Sequence, residues 1–521
     1  MIATVSTLGD FAQTAGVAAA ALLAAVVLLA RSDHARAAAM LGALVLTPVL
    51  LVVNIWSTPQ LEPLRERPLL ALGAAGGGLL LLAVGAYAIH RRPQLVALAA
   101  AAALPFRVPI ESGGDTANLL LPLYLVIAAG VLAYAVPRLR TSPGLDDDDD
   151  GGSQHAPRSA LAWLLAATIV LYAAQAAYSP DFDKALSQVI FFYVPFALLF
   201  ALLARVPWTP RLAGRCLVVL LVLAIAFVGI GFVEYARREL LLNPKVISSN
   251  QFESYFRVNS LFFDPNIYGR FLATVMLGLT ALLLWCRRPL LVAGCAVALA
   301  VLWAGLVLTL SQSSFTALLA GLAVLGALRW GWGRAAAVVA AFALAGVVVV
   351  LVAPGAVGVD QSADAVTSGR STLVSGGVAL ARERPIAGWG AGSFRHEYRR
   401  QEQSSNARAS AASHTIPITV AAEQGLGGLA LYLALVLVAI GGLLRGARSS
   451  IARAAIAAAF VALVVHTLLY AAFLEDPLAW ALLAVGTALR PATETSTRRQ
   501  QPEPEELVAA APTAPVSSTG P

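Results

Sequence analysis

Runs of about twenty apolar residues recur along nearly the whole chain, and this feature restricts the fold more than any other. Coiled as a helix, such a run matches the hydrocarbon thickness of a bilayer. Backbone groups in lipid find no water to bond, so spanning segments must be helices or closed barrels. Ala, Leu, Val and Gly dominate the runs and alternating strand patterns are absent, which argues against an outer-membrane barrel. Of the 521 residues only 12% are charged, where a soluble domain averages roughly 25%. So few polar side chains cannot clothe a core of this size in water. The expectation is an all-α polytopic membrane protein.

Apolar spans are expected near 12–30, 37–56, 69–89, 94–106, 118–136, 160–177, 186–204, 213–234, 267–285, 289–310, 313–328, 335–353, 425–444, 451–473 and 477–489. That is about fifteen, the fourth and last being short. Charge bias orients them, because loops rich in Arg and Lys stay cytoplasmic. One alternate set of loops carries Arg31 and Arg36, Arg91 and Arg92, Arg138 and Arg140, Arg205 and Arg211, Arg287 and Arg288, Arg329 and Arg334, Arg445 and Arg448, then Arg490. This set is expected to face the cytoplasm, leaving the N-terminus outside and the C-terminus inside. The net charge of +7 is therefore read as a topology signal and not as a nucleic-acid surface. Cys216, Cys286 and Cys295 lie in or beside apolar runs and suggest no paired framework. The acidic run Asp146 to Asp150 reads as a solvated linker, and the Pro-, Thr-, Ser- and Glu-rich tail from Pro491 as disordered. The N-terminal stretch lacks a basic region, so the first span reads as a retained helix.

Two loops expected on the outer side break the charge trend. Residues 235–266 hold Arg237, Arg238, Lys245 and Arg257; residues 354–416 hold Arg370, Arg382, Arg384, Arg395, Arg399, Arg400 and Arg408. Long loops are partly exempt from the rule, so simple tolerance and binding of an anionic substrate both account for these cations. Within 354–416 a helix is expected from Arg370 to Arg384, stopped by Pro385. The glycine-rich stretch Gly388-Trp389-Gly390-Ala391-Gly392 follows, allowing close approach of backbone to a ligand. His414 lies just before an apolar helix containing Glu423-Gln424-Gly425-Leu426-Gly427. A neutral imidazole there can take a proton from an acceptor hydroxyl. His396 is a rival in the same loop, while His466 reads as a mid-span packing contact.

The ordered pieces are Arg257 to Asn266, Leu310-Ser311-Gln312-Ser313-Ser314, Gly369-Arg370, Pro385 to Phe394, His414, and Glu423 to Gly428. Together they resemble the lipopolysaccharide O-antigen ligases and the related O-antigen polymerases, over about residues 95–490. The resemblance implies a GT-C-like helical bundle with a long outer loop at 354–416. It implies three extra N-terminal helices in 1–93, a ligase-like core in 94–490 and a cytoplasmic tail in 491–521. The implied activity is a metal-independent glycosyltransferase with no cofactor. It moves a glycan from undecaprenyl pyrophosphate to an acceptor hydroxyl of a glycan, lipid or cell-wall component, on the outer face of the cytoplasmic membrane.

The resemblance further implies His414 as the base and Arg370 as one pyrophosphate-binding arginine. A second family arginine commonly follows the Ser at a helix start, where this chain has Gln312. Gln cannot pair with phosphate charge, so Arg257, Arg107 or Arg270 takes over, or the donor differs. Arg107 lies at the bilayer edge in Leu104-Pro105-Phe106-Arg107, where a charge is costly unless paired or functional. Asp264 and Asn266 are candidates to orient Arg257, the plain alternative being a turn. Glu423 is a candidate to pair an arginine or to hydrogen-bond sugar, the plain alternative being a helix-end acid. A flippase or transporter of lipid-linked glycans is a rival function; the chain shows no repeat between halves of the kind many transporters carry. A structural scaffold is the third.

Overall fold

A computed structural model of the chain describes residues 2–55, 66–112, 115–140, 159–241, 256–352, 370–401, 415–470 and 472–489. The acidic run, the C-terminal tail and His414 lie outside these residues.

The described chain is all-helical apart from one small hairpin. Its helices are α1 (Ile2–Leu29), α2 (Asp33–Ile55), α3 (Pro68–Arg91), α4 (Gln94–Ala103), α5 (Leu121–Arg140), α6 (Ala160–Ala176), α7 (Phe182–Gln188) and α8 (Val194–Leu203). They continue as α9 (Pro210–Arg237), α10 (Pro265–Trp285), α11 (Pro289–Thr309), α12 (Gln312–Trp330), α13 (Trp332–Val352), α14 (Arg370–Glu383), α15 (Phe394–Gln401), α16 (Ile416–Leu444), α17 (Ile451–Thr467) and α18 (Pro477–Ala488). Strands β1 (Val108–Ser112) and β2 (Asp115–Leu119) pair antiparallel with Ile110 opposite Ala117. Two five-residue strands are too short to leave an alternating signal, and the fold remains the all-α membrane bundle expected.

Every expected span falls on a helix. Nine helical segments among the described residues are long and apolar enough to cross a membrane, and five shorter apolar helices accompany them. The chain is a multi-pass membrane protein. Helix starts are written locally: Asp264, Ser311, Thr209, Ser159, Ser450 and Asp476 each accept a backbone amide from the first turn. Proline occupies the first positions of α9, α10, α11 and α18, where no amide partner is needed. A π-turn at Val189–Tyr193 joins α7 to α8.

Helix α17 packs on α10, α12, α16 and α18, and forms the centre of the bundle. Small residues let backbones approach there; a Cβ on Gly269 of α10 would stand 2.6 Å from Ser314 Oγ of α12.

Arginines gather at both ends of the bundle. At one end, Arg36 and Arg138 pair with Asp33 at 2.5 and 3.4 Å, and Arg138 and Arg205 lie over the Tyr134 ring. Arg453 at the start of α17 caps the carbonyls of Gly442, Gly486, Arg445 and Leu489. Following α5 back from Arg138, or α17 forward from Arg453, leads to the opposite end, where Arg107, Arg257 and Arg270 gather.

Candidate active site at one end of the bundle

Arg257 is placed by its backbone before its side chain acts. Buried Glu234, at the end of α9, accepts the amides of Asn259 and Ser260 at 3.3 and 2.8 Å. Ser260 adopts a left-handed backbone (φ 52°) and donates to the Phe227 carbonyl at 2.9 Å. The Val258 amide bonds Leu308 O. The guanidinium then reaches the end of α11, where Nε donates to Thr309 O at 2.8 Å, and Nη2 donates to Asn266 Oδ1 at 3.1 Å. A cation is favoured at those carbonyls by the helix dipole.

Asn266 is the hub of this corner. Its side-chain oxygen also accepts from Ser311 Oγ at 2.8 Å and Ser313 Oγ at 3.5 Å. Its backbone oxygen accepts from Ser314 Oγ at 3.1 Å and faces His466 Nε2 at 3.2 Å. His466 is fully buried, with Ser313 Oγ 3.2 Å from the same nitrogen. The sequence placed His466 mid-span; α17 ends at Thr467, so the ring sits at the helix terminus inside the polar cluster. Asp264, expected beside Arg257, instead accepts the Asn266 amide at 2.6 Å as the cap of α10. The short Asp side chain followed by Pro-Asn favours that turn. Gln312 is exposed on the first turn of α12, outside the hub.

One turn along α10, Arg270 is buried and bonds Asp476, the cap of α18. Arg107 lies 3.8 Å from the same Asp476 oxygen and over the Phe263 ring. One carboxylate thus answers two guanidiniums, and Arg107 Nε is buried without a hydrogen-bond partner. Burial opposes the Arg107 charge, Asp476 supports it, and the net is a lowered pKa. Beside this pair opens a cleft lined by Leu104, Leu220, Phe262, Ile267, Phe271 and Leu478, with Arg107 and Arg270 in its wall. Glu475 turns away from Asp476 and accepts from Gln188 Nε2. Burial raises its pKa, against the lowering influence of Lys184 and Arg107.

The glycine-rich loop makes close backbone contacts with the protein itself. Its backbone approaches protein, not open space. The amides of Trp389 and Gly390 bond Ala422 O and Glu423 O at 3.0 and 2.9 Å, and Leu426 N bonds Pro385 O at 2.7 Å. The Glu423 carboxylate accepts the amides of Gly392 and Phe394 at 3.0 and 3.1 Å, and among the described residues it pairs with no arginine. Gln175, Tyr178 and Ser179, at the end of α6, donate to the carbonyls of Ala387 and Ala391. Gly388 and Gly425 have positive φ, and a Cβ on either would stand 2.2 Å from a facing carbonyl oxygen. The loop is a clasp joining α6, α14 and α16. Helix α14 begins at Arg370 and ends before Pro385 as expected, although the Arg370 side chain lies outside the described residues. His396 bonds Glu397 at 3.0 Å, in company with Arg400 at 3.4 Å.

Among the described residues no three His, Cys, Asp or Glu side chains are grouped to hold a metal ion. The architecture is that of a multi-pass helical protein with a cationic, partly apolar corner at one end. Residues 297–433 match the family described as O-antigen ligase, and over that stretch the chain is similar to it. That match spans α11 to the first half of α16. It includes Ser311, Gln312, Arg370, His414 and Glu423, but not Arg107, Arg257, Asn266, Arg270, His466 or Asp476. No curated protein matches the chain.

Proposed function

We propose that the protein transfers a glycan from a polyprenyl pyrophosphate, undecaprenyl in bacteria, to an acceptor hydroxyl at the outer face of the cytoplasmic membrane. The observation carrying this reading is the placement of Arg107 and Arg270 on one shared carboxylate, in the wall of an apolar cleft. Cations in excess of carboxylate suit a pyrophosphate. The O-antigen ligase match supports the glycan as cargo.

In this reaction the acceptor oxygen attacks the anomeric carbon as the bond to pyrophosphate breaks. The bonding electrons leave on the pyrophosphate oxygen, whose growing charge Arg107, Arg257, Arg270 and Arg370 stabilise. The acceptor proton passes to His414. Thr415, its neighbour in the chain, donates to Leu468 O at 3.0 Å, two residues from His466. That anchor supports a base acting at this corner.

Purified protein in nanodiscs, given a lipid-linked glycan and a hydroxyl acceptor, is the test. Wild type should form product, and His414→Ala should lose about 10²–10⁴-fold in rate. Unchanged transfer by His414→Ala rejects the base assignment. Translocation of lipid-linked glycan without any transfer rejects the enzyme in favour of a transporter.

A further inference from the structure

We propose that Asp476 is a resident counter-ion: it anchors Arg270 permanently and covers Arg107 until a diphosphate enters the cleft, so that Arg107 is the arginine of the pair that meets the ligand. This rests on the transferase reading and deepens it. Arg270 then acts on the ligand through its field, Arg107 by contact, and Asp476 by competing for Arg107.

The two arginines are held differently. Arg270 projects from α10, is buried, and bonds both the Asp476 carboxylate and Ala472 O, the latter at 3.4 Å. Arg107 stands on the short connection between α4 and β1, and its contact with Asp476 is 3.8 Å long. At that length the contact is Coulombic and not a hydrogen bond. Arg107 Nε is buried without a hydrogen-bond partner, and the face of its guanidinium rests on the neutral Phe263 ring. A buried donor left unbonded carries a free-energy cost that an accepting oxygen would remove. Arg107 lies in the wall of the cleft, where a phosphate oxygen supplies that acceptor.

Among the described residues, Asp476 is the only carboxylate within ion-pair distance of either guanidinium. Glu475, next in the chain, accepts from Gln188 Nε2, and burial favours its neutral form. Asp264 is engaged as the cap of α10. The two guanidiniums also repel each other across the one carboxylate, and an anion beside Arg107 relieves this.

Loss of Arg107 to a ligand does not strand Asp476. One carboxylate oxygen still accepts Leu478 N at 2.8 Å as the cap of α18, and the other keeps Arg270. The exchange therefore needs no rearrangement of α10 or α18. The same competition limits how tightly the cleft holds a diphosphate, which favours release of the pyrophosphate product.

The test uses full-length protein in phosphatidylcholine nanodiscs, with farnesyl diphosphate as probe, and reads binding together with thermal unfolding. Arg107→Gln should weaken diphosphate binding about tenfold, as loss of a charge-assisted hydrogen bond does, and leave Tm at or above the wild-type value. Arg270→Gln should lower Tm, because a buried carboxylate loses its close partner. Asp476→Asn keeps oxygen acceptors for Leu478 N and Arg270 but removes the competing charge. It should tighten diphosphate binding about tenfold, the order expected from one screened charge a few ångströms away. Damage to a purely structural residue gives no such gain. In the Arg107→Gln background the gain should largely vanish. Wild-type binding by Arg107→Gln, or a Tm loss there as large as in Arg270→Gln, overturns the inference. So does unchanged or weaker binding by folded Asp476→Asn, an equal gain in both backgrounds, or no diphosphate binding by wild type. Should Asp476→Asn fail to fold, Arg107→Lys supplies the comparison. It keeps the charge, and should bind more tightly than Arg107→Gln and less tightly than wild type; equal binding by all three overturns the inference. The expected responses in a protein that transfers no glycan would sink the transferase reading and leave the counter-ion role of Asp476 intact.

Discussion

The carboxylate of Glu423 accepts the amide of Gly392 at 3.0 Å, linking two motifs that the sequence separates by the whole of α15 and residues 402–414. Its other oxygen takes Phe394 N at 3.1 Å. Bonds to a charged acceptor are worth about 1.5–3 kcal/mol each. Glu423→Ala should therefore destabilise the protein by about 3 kcal/mol, read as a fall in Tm in detergent or nanodiscs. Glu423→Gln, which keeps one acceptor, should fall about half as far. A Tm unchanged in both would show that the clasp contributes nothing.

Asp476 gives a second expectation. Removing one partner of a buried ion pair leaves uncompensated charge, at about 3–5 kcal/mol. Asp476→Ala strands both Arg107 and Arg270, and also uncaps α18. It should be among the most destabilising single changes in the chain. Combining it with Arg270→Met should recover part of the lost Tm, because the stranded cation is gone; purely additive losses would contradict the shared-carboxylate geometry.

Glu475 makes stability depend on pH. Burial raises its carboxyl pKa in the folded protein. Between the ordinary carboxylate range and that raised value, the native state holds a proton that the unfolded chain has released. Stability therefore falls as pH rises through this window. Glu475→Gln keeps an acceptor for Gln188 and cannot ionise, so its Tm should decline less with rising pH than that of wild type. Parallel pH profiles would remove Glu475 as the cause.

Arg453 predicts an effect at the opposite end. Its guanidinium bonds four carbonyls at the ends of two helices, α16 and α18, while nearly fully buried. Arg453→Gln should lower stability by about 2–4 kcal/mol, since several buried carbonyls lose their donor. Glycan transfer at a permissive temperature should be unaffected, and a selective loss of turnover there would argue against a purely structural role.

The legibility of the sequence followed how local each signal was. Helices announced themselves because length and apolarity are local, and the caps at Asp264, Ser311 and Asp476 lie within a few residues of what they cap. Arg257, Asn266 and Arg107 were legible as costly or paired polar groups near an apolar boundary. Asn266 does bond Arg257, but Asp264 serves the turn, a choice that depends on backbone angles. What escaped was long-range. His466 looked like a packing residue because its partners, Asn266 and Ser313, come from other helices. The Ser-Gln-Ser-Ser start of α12, two of whose serines face it, was the only hint. Glu234 carried no hint, since the amides it accepts belong to a loop beyond the end of its own helix. The glycine pattern was correctly read as close backbone approach, yet nothing local says whether a ligand or the protein's own Glu423 fills the space.

The clasp also bears on how genetic data for this protein are to be interpreted. Its glycines at 388 and 425 each face a carbonyl that a methyl group would strike, so alanine scanning will score both as inactive. Those scores would report misassembly of α6, α14 and α16, and not contact with a substrate. A screen that ranks residues only by lost product would map the hinge pins of the scaffold onto the reaction centre. Protein abundance in the membrane, measured variant by variant, is the quantity that separates the two.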